Sequence, residues 1–232
     1  MNDTPLISAT DLSVSYGPLI AVQGVTTSFA ARGMTGVFGH NGSGKSTFLK
    51  SLIGAGGCIE GKVNFEGKPI RPGRTAENVM LGIAIVPQSR NVFPSLTVRE
   101  CLEAAGLRSG HAGFERVYEL LPILAERGAQ RAGSMSGGEQ QLLAVGMALM
   151  TQPKAMLLDE PTAGLSPVAA ERVLGTLGEI NRRFGTTIVL VEQNVMTALK
   201  VVDRALVFRS GQIVFDGSAE TLLAMDDIWA AF

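Results

Sequence analysis

Residues 39–47 read Gly-His-Asn-Gly-Ser-Gly-Lys-Ser-Thr, and far downstream in the same chain stands Ser136-Gly137-Gly138-Glu139-Gln140. The first stretch constrains the fold most, because a loop so rich in glycine keeps one shape only when regular elements grip both its ends. Both grips are present. The apolar run at 34–38 predicts a short buried strand feeding the loop, and residues 45–53 predict the helix that leaves it.

The residue types in the loop point to phosphate. Gly39, Gly42 and Gly44 let the backbone turn tightly enough for successive N–H groups to face phosphate oxygens, with the positive end of the following helix behind them. Lys45 is expected to reach the β- and γ-phosphates of a nucleotide, and the Ser46 hydroxyl to ligate Mg²⁺. His40, Asn41, Ser43 and Thr47 complete the nucleotide-binding segment, with His40 at a variable position and expected to be solvated rather than catalytic. The competing reading is a glycine-rich turn ahead of an ordinary core helix; the strand and helix context weighs against it.

A chain of 232 residues buries a full α/β core with room for a small subdomain, but hardly for two independent domains. Lys and Arg number 20 against 21 Asp and Glu, so there is no basic field and nucleic acid is not an expected partner. No apolar run approaches the roughly 18 residues of a membrane span, and Met-Asn-Asp-Thr-Pro at the start lacks the flank and core of a signal peptide. The chain is therefore expected in the cytoplasm. Cys58 and Cys101 form no metal-type or redox-type pair and read as packing or surface residues, and with His40 and His111 the only histidines a zinc site is not expected.

Alternating residues at 12–16 and 22–29 predict strands of a half-exposed antiparallel sheet, and 62–67 with Ile70 a further hairpin-like pair. Continuous apolar runs at 81–86, 155–158 and 187–191 predict strands buried on both faces. With a helical pattern at 169–184 between the last two, this order gives a parallel sheet with crossover helices. From 98 to about 150 the pattern is helical, punctuated by glycine and proline. The chain returns to β at 205–208 and 211–217, then to a short apolar helix at 221–232, whose Trp229 and Phe232 either pack onto the body or mark a partner surface.

Asp159 and Glu160 directly follow one of the buried strands, at the mouth of a parallel sheet where ligands gather. There the aspartate would hold a metal shell, directly or through water, and the glutamate would polarise a water for in-line attack on a γ-phosphate. An ordinary acidic turn is the alternative. Gln88 ends another buried strand, so its amide can reach the same metal or water, or can simply be solvated. Ser136 with Glu139 three residues on predicts a capping box, and Gly137-Gly138 open that helix N-terminus to an anion.

The phosphate loop, Gln88, Ser136-Gly137-Gly138-Glu139-Gln140 and Asp159-Glu160-Pro161-Thr162, in this order and spacing, resemble the ATPase subunit of an ABC transporter over essentially the whole chain. The resemblance implies an α/β fold: a P-loop NTPase core with a mainly parallel sheet, an N-terminal antiparallel β-subdomain and an inserted helical subdomain at about 95–150, all within one domain of 1–232. It implies ATP and Mg²⁺ as ligands and ATP hydrolysis coupled to transport, with Tyr16 stacked on adenine unless that ring merely packs locally. Two such chains would pack head to tail, the Ser136 helix of one covering the ATP held by Lys45 of the other. The segment after Gln88 and the helical region would dock on transmembrane permease subunits, so the protein would lie on the cytoplasmic face of the membrane, with an external solute-binding protein as an indirect partner.

Two departures from the family pattern matter. Gln193 in Val191-Glu192-Gln193-Asn194 stands where the family usually has a histidine at the γ-phosphate, and an amide hydrogen-bonds without carrying the imidazole's charge. Ser166 replaces a usual aspartate. Together with 131–141 and 91–98, these residues resemble the second ATPase of branched-chain amino acid importers, with urea and short-amide importers similar, although Met147 and Cys101 stand where relatives often have arginine and asparagine. Gln193 then motivates a second, different ATPase as partner, a homodimer being the alternative. A soluble ABC-type ATPase outside transport, or a weakly active regulatory module, are the rival classes; the single short unit argues against the first, and intact Lys45 and Glu160 against the second.

Overall fold

The computed structural model describes residues 5–89, 91–107, 112–225 and 228. Its amino-terminal segment forms β1 (Ile7–Tyr16) and β2 (Leu19–Phe29), which pair antiparallel across a tight turn; β1 also pairs with β4 (Cys58–Phe65), and β5 (Lys68–Pro69) completes a sheet in the order β2-β1-β4-β5. Alternation alone starts the first and third of these strands at 12 and 62, yet both begin earlier. The cause is a bulge. Asp11 sits at φ +50°, the pairing slips on both sides of it, and opposite lies Gly61, where a Cβ would come within 2.2 Å of the Asp11 carbonyl oxygen. An inserted residue of this kind breaks the period of two on which a sequence reading depends.

The second sheet runs β10-β9-β3-β8-β7-β6, built from β3 (Met34–Phe38), β6 (Ile83–Val86), β7 (Ala155–Asp159), β8 (Thr187–Val191), β9 (Arg204–Arg209) and β10 (Gln212–Ser218). All of its pairs are parallel except β9 with β10. Its central strands are buried on both faces and sort their side chains by the pleat. Val37, Leu157, Val189 and Leu206 join the core beneath the first sheet, whereas Phe38, Leu158, Leu190 and Val207 join the core beneath the helices. Phe48 of α1 (Lys45–Ser51) closes the first core, its ring 4.9 Å from that of Phe208 and 6.3 Å from that of Phe29.

On the other face α3 (Val98–Gly106), α4 (Ala112–Leu120) and α5 (Pro122–Glu126) pack on α6 (Gly137–Met150) through Leu102, Val117 and Leu124. α6 is buried around most of its circumference, so it carries only a weak amphipathic period. α7 (Pro167–Phe184) has readable ends: the Ser166 hydroxyl caps it, Pro167 opens it, and Gly185 closes it at φ +66° behind Arg182 and Arg183. Two short helices, α2 (Thr75–Val79) and α8 (Val195–Ala198), escape the pattern because neither runs to two turns. α9 (Ala219–Leu223) starts two residues ahead of the helix expected at 221–232, and Trp229 and Phe232 lie outside the described residues.

The sheet order sets the site. β3, β8, β7 and β6 are neighbours pointing the same way, so the segments leaving their carboxyl ends emerge along one edge. Phe48→Ala removes a fully buried ring from the core that carries the β3–α1 junction. It is expected to cost about 3–5 kcal/mol, read as a fall in the denaturant midpoint in equilibrium unfolding.

Candidate active site

The segment between β3 and α1 is a loop whose glycines are needed for different reasons. A Cβ on Gly39 would lie 2.3 Å from the Phe208 carbonyl oxygen, and one on Gly44 would lie 2.3 Å from that of Ala21, so these two are forced by crowding from β9 and β2. Gly42 has open space around it and is needed for its φ of +79°. Lys45 is buried, and its Nζ donates to the carbonyl oxygens of Gly39 at 2.7 Å and His40 at 2.8 Å. Burial pushes the Lys45 pKa below its ordinary value, opposed by the nearby Glu160 and Asp159. The Ser43 hydroxyl is buried without a hydrogen-bond partner among the described residues, a donor that a phosphate oxygen would satisfy. His40 is exposed, as expected.

Asp159 ends β7 and is held from α1: Ser46 Oγ donates to its Oδ1 at 2.6 Å, and Lys50 Nζ stands 3.4 Å from its Oδ2. A serine hydroxyl beside a carboxylate is a hard-oxygen set suited to Mg²⁺. The next residue, Glu160, sits at φ +50°, a conformation that costs a non-glycine residue about 1–3 kcal/mol and collects at functional positions. Its Oε2 accepts from Gln88 Nε2 at 2.7 Å and from Gln193 Nε2 at 2.6 Å. Gln88 follows β6 and Gln193 follows β8, so three strands contribute to one carboxylate. With the Gln88 NH₂ committed to Glu160, its amide oxygen is the atom it can offer to a metal.

A cavity over the phosphate loop is lined by Asn41, Lys45, Thr47 and Glu160, with Tyr16 and Leu19 at its β1–β2 rim. Tyr16 is partly exposed there while its hydroxyl packs close to Gly56, so local packing and a cavity-facing ring hold together. No residue of the Ser136 segment lines this cavity. Ser136 caps α6 and forms the full capping box with Glu139, whose carboxylate accepts from the Ser136 N–H at 3.0 Å and pairs with Arg127 at 3.0 Å. Those bonds hold the Glu139 carboxyl below the usual range, the Ser136 N–H first among them. Gly138 has a packing reason besides: a Cβ there would lie 2.9 Å from that of Ala169 on α7, whereas Gly137 has room.

Lys50 carries no motif, and Glu192 is given no role by the sequence although it stands in Val191-Glu192-Gln193-Asn194. Lys50 is visible only as a helix lysine until the fold brings it to Asp159. Glu192, directly after β8, is buried and accepts backbone N–H groups from two loops; a lone carboxylate straight after an all-apolar strand is the signal that could have marked it. Ser166 spends its hydroxyl on the α7 cap, accepting from the Ala169 N–H at 3.3 Å.

Residues 22–163 match the family model described as "ABC transporter". The chain is 38% identical over 98% of its length, and 99% of the relative's, to the high-affinity branched-chain amino acid transport ATP-binding protein BraG of Pseudomonas aeruginosa. It is 36% identical, over 94% of both chains, to the "probable branched-chain amino acid transport ATP-binding protein LivF" of Archaeoglobus fulgidus. Among solved structures it resembles the ADP conformation of an ATP-binding cassette of an ABC transporter, with TM-score 0.85, 26% identity and 98% of both chains covered.

The crowding at Gly44 yields a direct test. Gly44→Ala places a methyl group against the Ala21 carbonyl at a backbone angle of +104°. It is expected to destabilise the protein by about 2–5 kcal/mol and to abolish the rise in thermal midpoint on adding Mg-ATP, both read by thermal denaturation with and without nucleotide.

Proposed function

The chain belongs to the ABC transporter family of ATP-binding subunits, and from that premise we propose that it hydrolyses ATP to power an importer for branched-chain amino acids. The observation that carries the catalytic part is the meeting of Gln88 and Gln193 on Glu160, beside Lys45 and the Ser46–Asp159 pair.

The loop at 39–47 with Lys45 holds the triphosphate, its N–H groups and the Ser43 hydroxyl facing phosphate oxygens. Ser46, Asp159 and the amide oxygen of Gln88 would hold Mg²⁺, which would supply positive charge against the phosphates. Glu160 polarises the attacking water, and Gln193 donates a hydrogen bond at the γ-phosphate end. Tyr16 covers the adenine from the rim.

Transport needs partners. We take the chain as one nucleotide-binding domain with a helical subdomain at about 95–150, paired head to tail with a second ATPase subunit so that each Ser136 helix covers the other's ATP. Gln193 favours a different chain as that second subunit. Among the described residues no helix is long and apolar enough to cross a membrane. A groove of about 600 Å³ between the β6 edge and the helices, lined by Met80, Ile83, Ile85, Ala105, Ala144 and Met147, is the surface for the permease on the cytoplasmic face. The solute class rests on the names of the relatives, and a binding protein outside the cell would select the solute with the permease.

Glu160→Gln in this subunit alone is expected to cut ATP turnover of the assembled complex about 100-fold while leaving ATP affinity intact. Unchanged turnover would remove Glu160 from catalysis. Met147→Glu is expected to prevent co-purification with the permease without weakening ATP binding by the isolated chain. Uptake assays with the reconstituted complex should show leucine, isoleucine and valine entering; entry of urea or a short amide alone would reassign the solute.

A further inference from the structure

Glu192 is 1% exposed, and nothing in the catalytic reading uses it. Its Oε1 accepts the backbone N–H of Thr162 at 2.9 Å, and its Oε2 accepts that of Gln193 at 3.1 Å, with Asn194 N–H at 3.5 Å. Its own N–H donates to the Val37 carbonyl at 3.2 Å, which ties it to the strand feeding the phosphate loop. Burial raises its pKa above the ordinary carboxylate value, opposed first by the Thr162 side chain and then by the N–H groups of Thr162, Asn194 and Gln193.

The two oxygens therefore serve two different loops. Thr162 stands two residues after Glu160, and Gln193 directly follows Glu192, so one carboxylate joins the backbones that carry Glu160 and Gln193, two of the three side chains that meet there with Gln88. Glu192 also lines, with Gln88, Glu160 and Gln193, a cavity of about 320 Å³ beside that meeting point. A carboxylate offers acceptors at both ends; an amide would turn an NH₂ against an N–H at one of them.

We propose that Glu192 is a positioning residue: by bridging the Thr162 and Gln193 backbones it fixes the spacing at which the Gln193 amide and the Glu160 carboxylate meet. Misplacing a reacting group by about 1 Å costs on the order of 100-fold in rate, so a rigid bridge between these loops has direct leverage on turnover. The proposal rests on the reading of Glu160 as the group that polarises the water.

A double-mutant cycle in the assembled complex separates positioning from mere support of the fold. Glu192→Gln is expected to lower kcat about tenfold with KM for ATP changed less than twofold, and to lower it less than twofold when Gln193 is already alanine. Equal fold losses in the two backgrounds, or an unchanged kcat, would overturn the proposal. Should Glu192→Gln fail to fold, amide hydrogen exchange in the unaltered chain decides. Thr162 and Gln193 N–H, both outside helix and strand, are expected to be protected alongside the core strands; exchange at open-loop rates would sink the bridge. Full turnover in Glu160→Gln overturns the proposal through its premise, whereas loss of turnover there with equal effects of Glu192→Gln in both backgrounds overturns the bridge alone.

Discussion

Everything at the site depends on the level register of four adjacent parallel strands. Val191 lies opposite both Val37 and Asp159, and Leu158 lies opposite Val86, so β3, β8, β7 and β6 end side by side. Burial enforces that alignment. β3, β7 and β8 are buried at every residue, and a slip of one position would exchange the two faces of a strand already packed on both. Asp159 at the end of β7 and the residues that leave the strands, Gly39 to Lys45, Glu160, Glu192-Gln193 and Gln88, then emerge along one edge.

What the sequence makes legible follows from how local each feature is. The phosphate loop, the Ser136–Glu139 capping box and the Ser166-Pro167 start of α7 are set by residues a few positions apart, and the apolar runs of β3, β7 and β8 by burial on both faces. The Asp11 bulge is invisible because it is defined by pairing with Gly61, 50 residues away. Glu192 illustrates the same limit: its place after an all-apolar strand marks it, but its bond to Thr162, 30 residues earlier, comes only with the fold. Gly138 carries two demands at once, since the close approach of α7 forbids a side chain there whether or not an anion is ever bound.

Asp159 shows why the helix after the phosphate loop must stay rigid. Ser46 and Lys50 lie four residues apart, one turn along α1, and both reach the same carboxylate at the end of β7. The buried aspartate is thereby matched by a cation and a hydroxyl, which a charge so far out of water requires. The same helix begins with Lys45 and is seated by Phe48 in the core between the sheets, so core packing and charge balance fix one element.

Gln193 changes the character of the site rather than simply weakening it. An imidazole can carry positive charge towards a phosphate, whereas an amide offers a neutral donor, and here that donor rests on Glu160 Oε2 together with Gln88. With two amides on Oε2, the proposed water-polarising role of Glu160 falls to Oε1. Gln88 also links regions: Asn91, three residues on, donates to Gln141 of α6 at 2.7 Å, so the strand end that holds Glu160 is bonded to the helical layer as well. Gln193 is tied instead through Glu192, whose backbone N–H bonds to β3 and whose carboxylate bonds to the Thr162 loop. The two amides thus differ in the bonding that stands behind each of them.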